Sequence, residues 1–374
     1  MIPSFELKRN YNQVRKETLA ALDKVLESSQ FILGPAVAQF EEEAAAYLGT
    51  SHALGCASGS DALLLALHAL DVGPGDKVIT TPFTFFASVS AITRLGATPL
   101  FVDVKEDTYL LDPQALLEAM DDPAVKVVMP VHLFGQMVEL DEVMAKAKAK
   151  GIKVVEDTAQ AFGAARRVGD KIIKAGTWGD IGGYSFFPTK NLGCFGDGGM
   201  VSTDDEALFQ RLSRLRVHGA GDQYYHDEVG YNSRLDAMQA AVLSVRLRYL
   251  EEWTEARRAV AQRYELMFAQ KGLDEFVTLP REAENNRHVY HQYVVRAKDR
   301  DALQAHMTAQ GVATRVYYPL SLHLQRCFAF LGYQPGQMPV SERLTSEVLA
   351  LPMFPELTAD EQQQVVDAVA KFYR

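Results

Sequence analysis

Ile152-Lys-Val-Val-Glu-Asp157-Thr-Ala-Gln160-Ala-Phe-Gly-Ala164 is the stretch on which the reading of this chain turns. Its apolar run 152–155, closed by two acids, reads as a buried parallel strand delivering Asp157 to the carboxyl edge of a sheet. In open α/β folds that edge is where ligands bind. A carboxylate there is costly to bury alone, so a cationic partner is implied; the plainer alternative is a helix N-cap after the strand. Strand and helix signals alternate on both sides. Strands are predicted at 77–80, 98–102 and 125–131, and helices at 12–27, 36–48, 88–95, 113–120 and 140–150. Such alternation argues for an α/β fold with a mostly parallel sheet covered by helices. A single long helix over 233–268, with Met238, Val242, Val245 and Tyr249 at helical spacing, is expected to lead out of it. Beyond Gly272, strands at 290–295 and 313–317 alternate with helices at 299–310 and 359–372, which suggests a smaller α+β domain. The expected division is a large domain over 1–250 and a small one over 251–374.

Two further stretches carry chemistry. Ser185-Phe-Phe-Pro-Thr-Lys190-Asn-Leu-Gly-Cys-Phe-Gly-Asp-Gly-Gly199 places a lysine between a strand-like run, 182–187, and a glycine-rich turn. The glycines let the backbone turn sharply and pass close to a bound group. A lysine held there is desolvated, its pKa falls, and it becomes a nucleophile toward carbonyls. A solvated surface lysine is the bland alternative. In Leu54-Gly-Cys-Ala-Ser58-Gly59-Ser60-Asp61-Ala-Leu, a turn of small residues opens an apolar helix, and the start of a helix is an anion site. The turn is neither Gly-x-Gly-x-x-Gly nor a Walker loop; Ser60 or Asp61 as a plain N-cap is its ordinary reading. A nucleophilic amine, a buried acid and a phosphate site are together what pyridoxal phosphate requires, since its ring nitrogen stays protonated against an acidic partner.

Composition narrows the setting. A chain of 374 residues is long enough for two domains. No apolar run is long enough to cross a membrane, and Met1-Ile-Pro-Ser-Phe-Glu-Leu-Lys lacks a signal-peptide pattern. Three cysteines without paired spacing suggest a reducing compartment and no metal site, so the cytoplasm is expected. A net charge of −10 argues against nucleic acid. An anionic substrate then needs local positive charge, for which Arg216, His218, Arg234, His291, Arg315 and His323 are candidates, each also readable as an ordinary surface ion pair.

Taken together, the motifs resemble the sugar aminotransferases of the DegT/StrS group, pyridoxal-phosphate enzymes of fold type I. The resemblance runs over nearly all of the chain. It rests on the three stretches above and on Phe31-Ile-Leu-Gly34-Pro35, Pro82-Phe-Thr84-Phe85, Leu95-Gly-Ala-Thr-Pro99 and Pro130-Val-His132. Further along it rests on Gly230-Tyr-Asn232-Ser-Arg234-Leu-Asp236, Tyr318-Pro and His323-Leu-Gln. It implies that Lys190 holds the cofactor covalently and, once freed, moves the proton, while Asp157 pairs with the pyridine nitrogen. Gln160 is implied to contact the ring or its phenolic oxygen, with Phe85 stacked on the opposite face. Gly59, Ser60 and Ser185 are implied to bind phosphate. Asn232 is implied to reach the phosphate of a neighbouring subunit, making a homodimer with shared active sites. Arg234, Tyr318 and His323 are the implied substrate contacts.

The resemblance also implies a reaction. An amino acid, glutamate by expectation, converts the cofactor to pyridoxamine phosphate, and a keto sugar on a nucleoside diphosphate then takes the amine. Relatives acting at carbon 4 tend to carry a histidine after the Ser-Phe pair; Phe187-Pro188 here resembles the branch acting at carbon 3. Amination of a keto cyclitol, amination at carbon 4, and a non-catalytic regulator on the same fold are the alternatives.

Overall fold

The structure, a computed structural model, describes residues 1–222 and 224–374. The main sheet uses β1 (His52–Cys56), β2 (Lys77–Thr80), β3 (Thr98–Phe101), β4 (Val125–Val128) and β5 (Lys153–Asp157). After a side hairpin of β6 (Ala165–Val168) and β7 (Lys171–Lys174), it is completed by β8 (Ile181–Ser185) and β9 (Gly199–Thr203). Across the sheet the order is β1-β9-β8-β5-β4-β2-β3. The pairings from β8 through to β3 are parallel, whereas β9 runs antiparallel to both β8 and β1. The sheet is therefore mostly parallel, with one reversed strand.

Helices cover both faces. They are α1 (Leu7–Ser28), α2 (Pro35–Leu48), α3 (Gly59–Ala69), α4 (Phe86–Arg94), α5 (Pro113–Ala119), α6 (Asp141–Lys150), α7 (Glu206–Leu215), α8 (Ala237–Leu247) and α9 (Leu250–Lys271). Successive strand residues point to opposite faces. Val78, Val127, Val155, Ile181 and Val201 pack with the leucines of α3. Ile79, Val128 and Val154 pack with Leu116 and Val143 on the other side, where Tyr184 and Met200 meet α2 and α8. Helix α3 is buried at every position from Ala62 to Leu67, so it serves as a core helix and not as a surface one.

Beyond α9, antiparallel strands Val277–Thr278, Tyr293–Ala297 and Val348–Leu351 carry helices Arg300–Ala309 and Ala359–Tyr373. Tyr264, Tyr293, Leu303, Leu349 and Val366 form a separate core there, which Ile2 also joins. The backbone of Ile2 bridges Val312, so the first residues of the chain lie on the C-terminal unit.

Three expectations need correction. The helix expected over 233–268 is two helices. Residues 233–236 are drawn out by backbone bridges from Asn232 to Val217 and from Asp236 to Ile32, and the chain bends again at Arg248 and Tyr249. Helix α8 packs on α1 and α2 while α9 packs on the C-terminal helix, so the two halves answer to different partners and one straight rod cannot serve both. The strand expected at 313–317 is reduced to one bridge between Arg315 and Ala350. Finally, Leu54 to Cys56 belong to β1, so the small-residue turn is confined to Ala57 and Ser58.

Candidate active site

The carboxyl ends of β1, β2, β4, β5 and β8 converge on one cavity of roughly 650 Å³. Ser58, Gly59 and Ser60 follow β1, Phe85 and Ser88 follow β2, Val131 follows β4, Asp157 ends β5 and Ser185 ends β8. All of them line the cavity, as do Gln160, Lys190, His291 and Tyr318.

Asp157 is buried at 4% exposure. Its Oδ2 accepts from Ser88 Oγ at 2.7 Å and its Oδ1 from the Ala159 amide at 3.2 Å. Burial raises its pKa against the pull of these bonds, which is the state of a buried carboxylate that has no cation in contact. Its neighbour Glu156 points to the other side of the strand. Burial pushes Glu156 up, but its short bond from His132 Nε2 (2.7 Å) and amides of Gly176, Trp178 and Gly179 bring it net down. His132 Nδ1 accepts from the Val138 amide, so Nε2 carries the hydrogen that Glu156 takes. One acid of the pair is locked into the scaffold, and the other faces the cavity.

Lys190 lines the same cavity, with its pKa lowered to about 8 by desolvation, against which the Asp157 charge acts. Its backbone is fixed by a bond from its own amide to the Phe187 carbonyl. Asn191, next in the chain, is gripped between the Val289 carbonyl and His291 Nδ1. Because Lys190 should be largely neutral above pH 8, covalent capture of added pyridoxal phosphate by the cofactor-free protein should accelerate up to about pH 8 and then level off. Stopped-flow absorbance checks this. A rate that keeps climbing toward the ordinary lysine value of 10.5 would show a solvated amine.

The phosphate corner is set by close backbone approach. Ser58 caps α3 through its Oγ, which accepts from the Asp61 amide at 3.1 Å, leaving the Gly59 and Ser60 amides free of that side chain. A Cβ on Gly59 would stand 2.5 Å from Cβ of Ser185, and one on Gly199 would stand 2.3 Å from the Ser58 carbonyl. The turn, β8 and β9 are thus in contact at glycine distance. Gly59→Ala is expected to cost about 1–3 kcal/mol of stability by overpacking and to weaken cofactor binding. Thermal unfolding and cofactor titration check it; an unchanged protein would mean that the turn yields freely.

Gln160 is oriented by the Phe134 amide, which donates to its Oε1 at 2.8 Å, and it donates from Nε2 to the Tyr318 hydroxyl at 3.0 Å. Phe85 is 58% exposed at the cavity mouth, its ring centroid 6.4 Å from that of Tyr318. Three residues singled out in the sequence lie elsewhere. His323 is buried and bonded on both ring nitrogens, to Ser321 and Glu342, in a packing role. Asn232 is exposed and Arg234 partly exposed, both outside the cavity of their own chain. Of the other cation candidates, Arg216 is tied to Glu41 at 2.6 Å and to the Gly55 carbonyl. Ser88 and Gln292 line the cavity without having been singled out in the sequence. Nothing in a Phe-Phe-Ala-Ser-Val helix marks Ser88 as the partner of an acid 69 residues away.

These residues fit pyridoxal phosphate: a buried acid with no cation in contact, a desolvated amine lining the same cavity, and a helix start whose amides are approached at glycine distance. Among the described residues, no group of three or more His, Cys, Asp and Glu is arranged to hold a metal ion. No helix among them is long and apolar enough to cross a membrane.

Comparison with known proteins gives the family. The chain is 48% identical, over 100% of its length and 99% of the other, to a protein of Geobacillus stearothermophilus named pleiotropic regulatory protein. It is 41% identical to the UDP-N-acetyl-3-dehydro-alpha-D-glucosamine 3-aminotransferase of Acidithiobacillus ferrooxidans, covering 99% of this chain and 97% of that one. The crystal structure of DesV from S. venezuelae, in complex with a ketimine intermediate, superposes with a TM-score of 0.95 at 41% identity, covering 99% and 98% of the two chains. Residues 12–370 match the DegT/DnrJ/EryC1/StrS aminotransferase family, and the chain belongs to that family of pyridoxal-phosphate enzymes.

Proposed function

We propose that this protein moves an amino group from an amino acid, glutamate, to carbon 3 of a keto sugar carried on a nucleoside diphosphate. The observation that supports it most is that Lys190, Asp157 and the start of α3 all line one cavity. Phe187 and Pro188, in place of the histidine expected of carbon-4 enzymes, support carbon 3, as do the names of relatives acting on 3-keto sugars.

When bound, pyridoxal phosphate supplies the carbon that exchanges nitrogen and a ring that spreads the electrons left by a departing proton. The chain supplies the rest. Asp157, anchored by Ser88, would keep a proton on the ring nitrogen. Lys190 would accept a proton at Nζ and give it back from there, and a pKa near 8 suits both directions. Gly59, Ser60 and Ser185 would hold the phosphate, while Gln160 and Phe85 would hold the ring. Tyr318 takes part in substrate binding. The cytoplasm is the place proposed for it.

The working unit proposed is a homodimer with composite sites. Ser233 Oγ is held by Asp61 and the Ala57 amide, which leaves the adjacent Asn232 exposed on the outer surface. Phe31, Ile32, Phe85, Phe187 and Phe195 are exposed apolar residues available to a second copy. If Asn232 serves the partner's phosphate, mixing Lys190→Ala with Asn232→Ala subunits should restore activity above that of either mutant, since one site per heterodimer is then intact. No recovery after proven subunit exchange, with Asn232→Ala impaired alone, would assign the residue to its own chain.

The name of the Geobacillus relative favours a second reading, a regulatory role on the same fold. Mass spectrometry of products from a panel of 3-keto and 4-keto nucleotide sugars, with glutamate as donor, decides. Amination of a 3-keto sugar supports the proposal. Amination only at carbon 4, or of a cyclitol, would reassign the substrate, and no amination at all would favour the regulator.

A further inference from the structure

Asp157 can hold a proton on a pyridine nitrogen only while it is itself ionised, and its burial works against that. Burial raises its pKa, and of the influences that pull the other way the bond from Ser88 is the largest, ahead of the Ala159 amide and the charges of Lys190 and His132. The two charges are poor substitutes for that bond. His132 spends both ring nitrogens on Glu156 and the Val138 amide, and Lys190 is the group that the cofactor occupies. Tyr318 stays protonated, since burial pushes its pKa up.

The Ser88 bond has a second member behind it. Thr84 Oγ1 lies 3.0 Å from Ser88 Oγ, which lies 2.7 Å from Asp157 Oδ2. All three side chains are buried, and all three residues line the cavity. A hydroxyl carries one hydrogen, and an ionised carboxylate only accepts. The hydrogen of Ser88 is therefore spent on Asp157, and the contact between the two hydroxyls is filled by the hydrogen of Thr84. The chain has one direction, from Thr84 through Ser88 to Asp157. Each bond polarises the next, and the low dielectric of a buried site strengthens both.

We infer that Thr84 and Ser88 are positioning residues that act through Asp157: their directed hydroxyl chain keeps the carboxylate ionised, so that the shared proton stays on the pyridine nitrogen. The inference rests on the proposed pairing of Asp157 with that nitrogen. Breaking the chain shifts the balance. The proton then passes from the ring nitrogen to a carboxylate oxygen, leaving a neutral pyridine beside a neutral acid, and the ring loses the charge with which it draws in electrons.

The test reads the ring nitrogen itself, by nuclear magnetic resonance of the protein loaded with cofactor isotopically labelled at that atom. Ser88→Ala and Thr84→Val should both move the resonance from the protonated toward the unprotonated position. Ser88→Ala should move it further, because Thr84→Val removes only the outer bond. Thr84→Ser, which keeps the hydroxyl, should hold the resonance near its wild-type position. In the cofactor-free protein, infrared titration follows the Asp157 carboxyl band, identified by its loss in Asp157→Asn. Ser88→Ala should raise the proton affinity of that carboxyl by about 10-fold, the scale of one lost hydrogen bond to a charged group. Thr84→Val keeps the shape of the side chain, so a role confined to packing would leave both signals where they are. If Asp157→Asn moves the resonance while Ser88→Ala and Thr84→Val do not, the inference is overturned. A shift in Ser88→Ala alone would end the chain at Ser88 and remove Thr84 from it. A resonance that stays put even in Asp157→Asn fails one step earlier and overturns the pairing of Asp157 with the ring nitrogen.

Discussion

Lys190→Ala should lower turnover by at least the roughly 10²–10⁴-fold that a positioned proton carrier contributes, because the covalent tether is lost with it. The change should be selective. Asp157, Ser88 and the α3 turn stay in place, so the variant should still bind pyridoxal phosphate noncovalently, without the absorbance of the lysine-bound form. The fold should not suffer. Burial disfavours the charged amine, lowering its pKa to about 8, and its removal relieves that cost, so the cofactor-free variant should unfold at a temperature no lower than wild type. Turnover assays, cofactor titration and thermal unfolding check the three parts. Turnover within a few-fold of wild type would mean that another base does the work.

Asp157→Asn is expected to cost about 10²–10³-fold in turnover, the range for removing one preorganised electrostatic partner. The amide keeps the shape and can still meet Ser88 Oγ, but it cannot hold a proton on a pyridine nitrogen. Cofactor binding should weaken less, by the roughly 1.5–3 kcal/mol of a charge-assisted hydrogen bond, since the charge matters most where negative charge develops in the transition state. The buried carboxylate also makes a directional statement. Its pKa is raised by burial in the cofactor-free cavity and should fall once a ring-nitrogen cation sits beside it. Cofactor binding should therefore release a proton at acidic pH, which calorimetry in buffers of different ionisation heat measures. Near-normal turnover in Asp157→Asn would place another group at the ring nitrogen.

The parts of this account that were legible in the sequence are those written by local rules. The strand before Asp157 announced itself by an apolar run ending in acids, and β5 occupies Lys153–Asp157. Strand β2 and the helices around 36–48 and 359–372 carried clear periodicity and turn signals, and they lie within a residue or so of the expected ends. Strand β9 was not anticipated: Gly199–Thr203 is short and follows a glycine-rich turn, and its identity as a reversed strand depends on pairing with β1, some 150 residues earlier. The bend between α8 and α9 escaped for a similar reason, since helical spacing runs unbroken through Arg248 and only the differing partners of the two helices require a break.

The site divides in the same way. Motif residues at a strand end or in the turn beyond one, such as Asp157 ending β5, Gly59 opening α3 and Lys190 after β8, could be singled out because acid, glycine and lysine are unusual in such surroundings. Ser88 and Gln292 are common residues made significant only by what they face. His323 shows the opposite case, a residue conspicuous in its motif whose ring is taken up by Ser321 and Glu342.

Borohydride reduction of the purified, cofactor-loaded protein, followed by peptide mass mapping, tests the central claim most directly. The account predicts a single pyridoxyl phosphate adduct on Lys190, in the peptide that contains Ser185-Phe-Phe-Pro-Thr-Lys190-Asn. An adduct on any other lysine, or a protein that binds the cofactor but yields no adduct at all, would contradict it.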